Sequence, residues 1–351
     1  MRILHVISSM EVGGAQRLLS DLLPILKQQG FDVSLLVLKS TDSVFSKKIA
    51  DAGVKIISLN VRSFRNPFLA IKLRHIINQY DIVHAHLVHS LYLCSIAARG
   101  LEIKLIYTEH STSNNRRGKT YLRCIEKLIY NRYDKLISIS QKVQDALQDW
   151  LQSNDKRFDV INNGVDIKTF AALHKEKIPK SLIMVSRFAS SKDQKTVIRA
   201  LTYLKENIIL RFVGDGENLE QCRHFANVCG LDSKIQFLGT RTDVAELIAE
   251  SSIGIQSSKW EGFGLTAVEM MAAGLPVIAT DVDGLKQVVE GAGVLFPVGD
   301  AFALSDHIRH ILNDKVFYEE LSIASKRRAS LYDISIMSRK YTELYQSVCN
   351  E

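Results

Sequence analysis

Two glutamates with seven residues between them, Glu261 and Glu269, bracket a glycine-containing stretch, Trp260-Glu261-Gly262-Phe263-Gly264-Leu265-Thr266-Ala267-Val268-Glu269. An apolar run at 253–256 precedes it and a helical pattern follows. Gly262 and Gly264 would free backbone amides near the helix N-terminus, where N–H groups and the helix dipole favour a phosphate. Glu261 would stand before the helix and Glu269 within it. Eight helical residues span ~12 Å, the scale of a sugar diphosphate with its ribose. One carboxylate is thus placed to hold a sugar and the other a ribose. The plain alternative is two surface glutamates, and the glycines between them argue against it.

Arg187 and Lys192 stand five apart in Ser186-Arg187-Phe188-Ala189-Ser190-Ser191-Lys192, after the strand-like run 182–186. Two cations at a strand's carboxyl end can converge on a diphosphate, each charge-assisted hydrogen bond being worth ~1.5–3 kcal/mol. The alternative is a solvated helix start, and Lys195 reads as surface. Gly13 and Gly14 follow the first strand and open a helix, a place where a phosphate can approach backbone, although the spacing is not that of the dinucleotide fingerprint G-x-G-x-x-G. A simple helix-entry turn would look the same. Pro24 lies inside that helix and should kink it. His110 ends the fifth strand, in Tyr107-Thr108-Glu109-His110-Ser111, where a side chain can reach a ligand or simply pack.

Three further patterns read as structural. His84-Ala85-His86 with His89 suggests a metal cluster, but no carboxylate or cysteine nearby completes it. Asp281-Val282-Asp283 resembles a cation-holding D-x-D, yet it follows a late strand and precedes Gly284, as a turn with a helix cap would. Gly214-Asp215-Gly216 is a strand-end turn.

These residues need elements to position them. Apolar runs of strand length occur at 2–7, 32–38, 54–59, 81–85, 103–108, 135–139 and 158–161, with amphipathic stretches such as 16–29, 66–79 and 121–133 between them. The series restarts at 182–186, 208–213, 234–238, 253–256, 276–280 and 293–296, and the chain then reads as helix over 300–313, 316–330 and 335–349. Continuous apolar strands alternating with helices predict α/β architecture with parallel sheets covered on both faces. The 351 residues exceed one core and predict two doubly wound domains. The break falls near 163–180, where Asn163-Gly164 signals a turn and the polar 171–180 reads as a linker. The expected division is 1–165, a first Rossmann-like domain; 166–330, a second Rossmann-like domain; and 331–351, a helix packing back on the first domain. Ligands of such sheets bind at the strands' carboxyl ends, which predicts a site in the cleft between domains.

Composition narrows the class. Hydrophobic residues are 46% and charged residues 24%, as in a folded globular protein, and no apolar run approaches membrane-span length. The N-terminus enters a strand-like run at once, without the pattern of a signal peptide. Five cysteines, an odd number without C-x-x-C spacing, predict reduced thiols and a cytoplasmic protein. Residues 1–165 carry 23 Lys+Arg against 14 Asp+Glu, whereas 166–351 carry 22 against 24. A basic first half suits an anionic membrane surface, a phosphorylated substrate or nucleic acid.

Taken together, these residues resemble the retaining family 4 glycosyltransferases (glycosyl transferases group 1), which have the GT-B architecture. The resemblance covers essentially the whole chain. It runs through Gly13-Gly14-Ala15-Gln16, Asn163-Gly164-Val165-Asp166, Arg187 and Lys192, and Phe237-Leu238-Gly239. It ends with the Glu261/Glu269 element and Ala273-Gly274-Leu275-Pro276-Val277-Ile278-Ala279-Thr280. The last two in tandem are the most specific.

The resemblance implies roles, with 1–165 as the acceptor-side domain and 166–330 as the nucleotide-sugar-binding domain. Arg187 and Lys192 would bind the donor diphosphate, and Glu269 the ribose. Glu261 and the amides of Gly262, Phe263, Gly264 and Leu265 would face the donor sugar and phosphates. Gly13, Gly14 and Gly239 would line the donor. His110 matches the histidine that the family places near the transferred sugar, although Ser111 follows it where the family often has Asp. No cofactor and no metal are implied, only a UDP- or GDP-sugar co-substrate.

The implied reaction passes a sugar from a nucleotide diphosphate to an acceptor hydroxyl with retention. No covalent nucleophile is evident, which favours same-face attack with the departing phosphate taking the acceptor's proton. The cluster Arg116, Arg117, Lys119, Arg123, Lys127 and Arg132, interleaved with Tyr121, Leu122, Ile125 and Leu128, reads as a basic amphipathic surface. It predicts a peripheral enzyme on the inner face of the plasma membrane, with a lipid-linked saccharide acceptor in bacterial surface-polysaccharide assembly. An ordinary core helix with a basic face is the alternative. Rival functions are a nucleotide-sugar epimerase of the same fold and an inactive nucleotide-sugar scaffold. Nucleic-acid binding is disfavoured, because the charge is confined to one half and lacks interleaved RNA- or DNA-binding motifs.

Overall fold

The computed structural model describes all residues except 12, 40, 41, 62, 65, 67, 113–115, 174 and 351. Pro67 of the expected helix over 66–79 and His174 of the expected linker therefore lie outside the described residues. The chain forms two compact units, Met1–Gly164 with Ile334–Glu351, and Val165–Asp333.

The first unit runs β1 (Arg2–Ile7), α1 (Gly14–Gln28), β2 (Asp32–Val37), α2 (Val44–Asp51), β3 (Lys55–Ser58), α3 (Phe68–Ile77), β4 (Ile82–His86), α4 (Leu87–Ala97), β5 (Lys104–Glu109), α5 (Thr120–Tyr130), β6 (Lys135–Ser138), α6 (Gln141–Leu151) and β7 (Phe158–Val160). Its strands are all parallel, in the order β3-β2-β1-β4-β5-β6-β7. The period of two sorts β1 between two cores. Ile3 and Ile7 face one, and Leu4 and Val6 face the other. α1 continues through Pro24 to Gln28.

The second unit runs α7 (Ile167–Ala171), β8 (Ser181–Val185), α8 (Gln194–Thr202), β9 (Ile209–Val213), α9 (Leu219–Val228), β10 (Ile235–Phe237), α10 (Val244–Ala249), β11 (Ile253–Gln256), α11 (Leu265–Ala272), β12 (Val277–Thr280), α12 (Asp283–Val289), β13 (Val294–Phe296), α13 (Ala301–Asn313) and α14 (Lys315–Ala329). The strand order is β10-β9-β8-β11-β12-β13, again all parallel. The last helix, α15 (Ile334–Asn350), belongs to the first unit. Its Met337, Tyr341, Leu344, Tyr345 and Val348 repeat at helical spacing and join the Ile3/Ile7 core.

The polar stretch 171–180 is not the connection between units. The chain crosses at Gly164/Val165 and at Asp333/Ile334. The Ile178 amide donates to Glu250 O (2.7 Å) and Lys177 Nζ to Ser251 O (2.9 Å), which fixes this stretch within the second unit. Polarity misled because backbone, not apolar burial, holds it. At the crossing, a Cβ on Gly164 would lie 2.7 Å from Ile334 Cα, so glycine lets the outgoing and returning chains meet.

Candidate active site

In each sheet the strand order reverses once, between β1 and β4 and between β8 and β11. Loops leaving the carboxyl ends of two such strands part to opposite faces and open a crevice. Gly13, Gly14, Arg187, Lys192 and Glu261 follow the strands at these reversals, His110 follows β5 beside β4, and Gly239 follows the edge strand β10.

In the second unit, the loop after β8 is stitched to the loop after β11. Lys192 and Ser258 form an isolated antiparallel bridge, and the Lys259 amide donates to Ser191 O (2.8 Å). The Thr280 hydroxyl accepts from the Ser258 amide (3.0 Å) and donates to Ser258 O (2.9 Å), holding the loop from the β12 side. This framework brings Lys192 Nζ onto the Glu261 carboxylate in a short ion pair, with a second bond to Ser258 Oγ (3.2 Å). The two side chains are 15% and 22% exposed, so a ligand can reach the pair.

Gly264 is the N-cap of α11, in the left-handed region at φ 95°, and no side chain caps the helix. The Ala267 amide turns back to Gly264 O (3.0 Å), and the amides of Leu265 and Thr266 before it are left to a ligand or to water. Glu261 Oε1 accepts from the Gly262 amide (3.2 Å), Phe263 is buried edge-on to Tyr332, and Glu269 is buried within α11. Gly284 serves the same loop. A Cβ there would lie 2.3 Å from Glu261 O, so only glycine lets α12 support the turn.

Arg187 is exposed and, among the described residues, makes no ion pair. Its loop is fixed through backbone. The Phe188 amide donates to Asp215 O (2.9 Å) and Gln194 Nε2 to Arg187 O (2.9 Å). Gly214 and Gly216 earn their places by close approach, since a Cβ on either would meet Ser186 O (2.1 Å) or Phe188 O (2.6 Å). The Gly214 amide donates to Gly239 O (2.8 Å), which ties the end of β9 to the turn after β10. Asp281 pairs with Lys286 (3.4 Å), and Asp283 is the first residue of α12, whose cap is Val282 without a side-chain bond. The turn is as expected, and the aspartate cap is not.

In the first unit, Gly13 is the N-cap of α1 with extended backbone, and again no side chain caps the helix. His110 follows β5 and its Nε2 lies 3.2 Å from His86 Nδ1. Burial pushes the His110 imidazole down to about 4, so the ring is neutral near pH 7. The His84, His86 and His89 pattern, read from the sequence as structural, is rearranged. His84 and His86 cluster with His5, while His89 stacks on Phe64. His5 was missed, although β1 and β4 are neighbours and His5 stands directly opposite His84. By position, the three rings are able to surround a cation. Every one of their ring nitrogens, however, already has a hydrogen-bonding partner, among His110, Tyr345, Thr108 and one another.

The basic cluster is also divided. Arg116 turns inward to the buried Glu126 (2.6 Å) and Arg117 to the buried Glu109 (3.1 Å). Lys119 and Arg132 stay exposed at the ends of α5. A buried carboxylate needs such a partner, and the sequence shows no sign of which cations supply it.

Two family models match the chain. "Glycosyltransferase Family 4" matches residues 12–169 and "Glycosyl transferases group 1" residues 165–328. The phosphatidyl-myo-inositol mannosyltransferase of Mycobacterium leprae is 26% identical over 96% of this chain and 93% of its own. The UDP-Gal:α-D-GlcNAc-diphosphoundecaprenol α-1,3-galactosyltransferase of Escherichia coli is 24% identical over 98% and 96%. The crystal structure of Anabaena HepE in complex with UDP and glucose superposes with a TM-score of 0.88 at 21% identity, covering 99% of this chain and 100% of that one.

Proposed function

Because the chain belongs to the family 4 glycosyltransferases of the GT-B fold and is a transferase, we propose that it moves a sugar from a nucleotide diphosphate to an acceptor hydroxyl with retention of configuration. The observation that carries this reading is the junction of Lys192, Glu261 and the uncapped N-terminus of α11 at the strand reversal of the second unit.

Lys192 and Arg187 neutralise the donor diphosphate, and the amides of Gly262 to Leu265 receive its oxygens. Glu269 takes the ribose hydroxyls and Glu261 the sugar hydroxyls. Gly239 edges the donor, and Gly13 and Gly14 offer amides to the diphosphate. His110 faces the transferred sugar. The bond from the anomeric carbon to the diphosphate oxygen breaks, and that oxygen keeps the electron pair. The acceptor oxygen attacks the same face and its proton passes to the departing phosphate. The protein supplies positioning and charge stabilisation, and the reaction needs no metal. Both the M. leprae and the E. coli relatives are named for lipid acceptors, an inositol phospholipid and a diphosphoundecaprenol sugar. This supports a lipid-linked saccharide as acceptor, in surface-polysaccharide assembly at the inner face of the membrane.

A melting-temperature panel of UDP, GDP, ADP, CMP and their sugars in EDTA tests the donor site. Ligand at 100 times its dissociation constant adds ~2.7 kcal/mol, several degrees in a domain of this size. One nucleotide class should stabilise without metal. Stabilisation only after Mg²⁺ or Mn²⁺ is restored would refute the metal-free reading and return Asp281 and Asp283 as candidates.

A further inference from the structure

A chain of hydrogen bonds runs from His110 into the core of the first unit. His110 Nε2 meets His86 Nδ1 at 3.2 Å, and His86 Nε2 meets His5 Nδ1 at 3.1 Å. His5 Nε2 meets the Tyr345 hydroxyl at 3.3 Å, and that hydroxyl meets His84 Nδ1 at 2.8 Å. His84 Nε2 ends on Thr108 Oγ1 at 2.7 Å. His5, His84, His86, Thr108 and Tyr345 are all buried, where polar groups are hydrogen-bonded rather than left mismatched. The fold builds the chain. His5 and His84 are register partners on β1 and β4, His86 lies two residues on along the same face, and α15 brings Tyr345 from the far end of the sequence.

Each neutral imidazole has one N–H and one lone pair, so every link needs one donor and one acceptor. Burial holds all four histidines below their usual range, His5 at about 3 and His110 at about 4. With all four neutral, the three links from His110 to Tyr345 must share one sense, and only two senses exist. Tyr345 has a single proton for two nitrogens, and the shorter contact, to His84, takes it. His5 Nε2–H then donates to Tyr345, His86 Nε2–H to His5, and His110 Nε2–H to His86. His110 Nδ1 is left with its lone pair, and among the described residues nothing bonds it.

We propose that Tyr345 is a positioning residue of the transfer reaction: through His5 and His86 it fixes His110 in the Nε2–H form, so that Nδ1 accepts a hydrogen bond from a hydroxyl of the transferred sugar. This rests on the reading of His110 as facing that sugar. Tyr345 touches no substrate, and its effect is to remove the alternative tautomer, in which Nδ1–H would oppose a donating hydroxyl.

The test is the tautomer of His110, read by long-range ¹⁵N–¹H correlation in histidine-labelled full-length protein without substrate and assigned with His110→Ala. The wild type should show Nε2–H. Tyr345→Phe should give a mixture of both tautomers and lower kcat about tenfold or more, with the donor KM unchanged. Tyr341→Phe, which removes a hydroxyl one turn away that touches only Thr108 (3.4 Å), should change neither. A wild-type Nδ1–H form, or an unaltered tautomer in folded Tyr345→Phe, overturns the proposal. Should Tyr345→Phe not fold, the wild-type tautomer alone decides. A tautomer shift in a protein that transfers no sugar keeps the relay and rejects the function proposed above.

Discussion

At the scale of single residues, the pairing of Lys192 with Glu261 means that, in the function proposed above, the donor must compete for its own binding groups. Without a donor, the ammonium and the carboxylate satisfy each other. On that reading an arriving diphosphate would offer Lys192 a stronger partner and release Glu261 toward the sugar. The two charges therefore act in opposite directions on nucleotide binding. Glu261→Gln leaves Lys192 free for phosphate, so UDP or GDP should bind as tightly as to the wild type or tighter, while sugar transfer falls about 100-fold or ~3 kcal/mol. Lys192→Ala should lose both, because it removes a diphosphate ligand and strands a half-buried carboxylate. Isothermal titration with the nucleotide, beside turnover of its sugar, separates the two. Weaker nucleotide binding in Glu261→Gln would mean that Glu261 itself contacts the diphosphate side of the ligand.

At the scale of elements, α5 has an unusual exposed face. Tyr121, Ile125 and Leu128 are 70%, 53% and 70% exposed at i, i+4 and i+7, with Lys119 and Arg132 exposed at the ends. Glu126 on the opposite side is buried and holds Tyr92, Trp150 and Arg116, so polar bonds anchor the helix alongside Tyr130 and Ile129 in the core. A helix that leaves its large side chains in water and has cations at its ends suits the headgroup region of an anionic bilayer. Ile125→Ser with Leu128→Ser should weaken flotation with anionic vesicles at least about tenfold, or ~1.4 kcal/mol, about a quarter to a half of what full burial of both side chains would contribute. Flotation that is equal on neutral vesicles would remove the membrane reading.

The same helix shows what a sequence can and cannot reveal. Its place and amphipathic period were readable, as were the strands, because apolar spacing states which residues must be buried. The inward turn of Arg116 and Arg117 was not readable, because partners distant in sequence decide it. Likewise the Glu261–Gly264 turn announced itself through its glycines. The bond from Lys192 to Glu261 depends on β8 lying beside β11, and His5 joins His84 only because β1 lies beside β4.

At the scale of the whole molecule, the two units should differ in their response to acid. The first holds His5, His84, His86 and His110 neutral by burial. Their neighbours there are Tyr341, Tyr345 and Thr108, with the Glu109–Arg117 pair beside His110. Unfolded histidine takes up a proton near pH 6.5, whereas folded His5 waits until about 3 and His110 until about 4. Between those limits the unfolded state binds more protons, so stability falls as pH falls, by about 1.4 kcal/mol per pH unit for each histidine. Glu109, raised by burial, opposes this, but it is one carboxyl against four imidazoles. In the second unit burial lowers His307 too, but it is only partly buried and the charges of Asp306 and Asp300 pull it back up. The first unit should therefore unfold first on acidification from about pH 6.5.

The chain's two tryptophans allow the measurement, since Trp150 lies in the first unit and Trp260 in the second. In Trp260→Phe, Trp150 fluorescence should change at higher pH than the second half of the far-UV dichroism signal. One coincident transition, or loss of the second unit first, would show that the buried histidines do not limit acid stability.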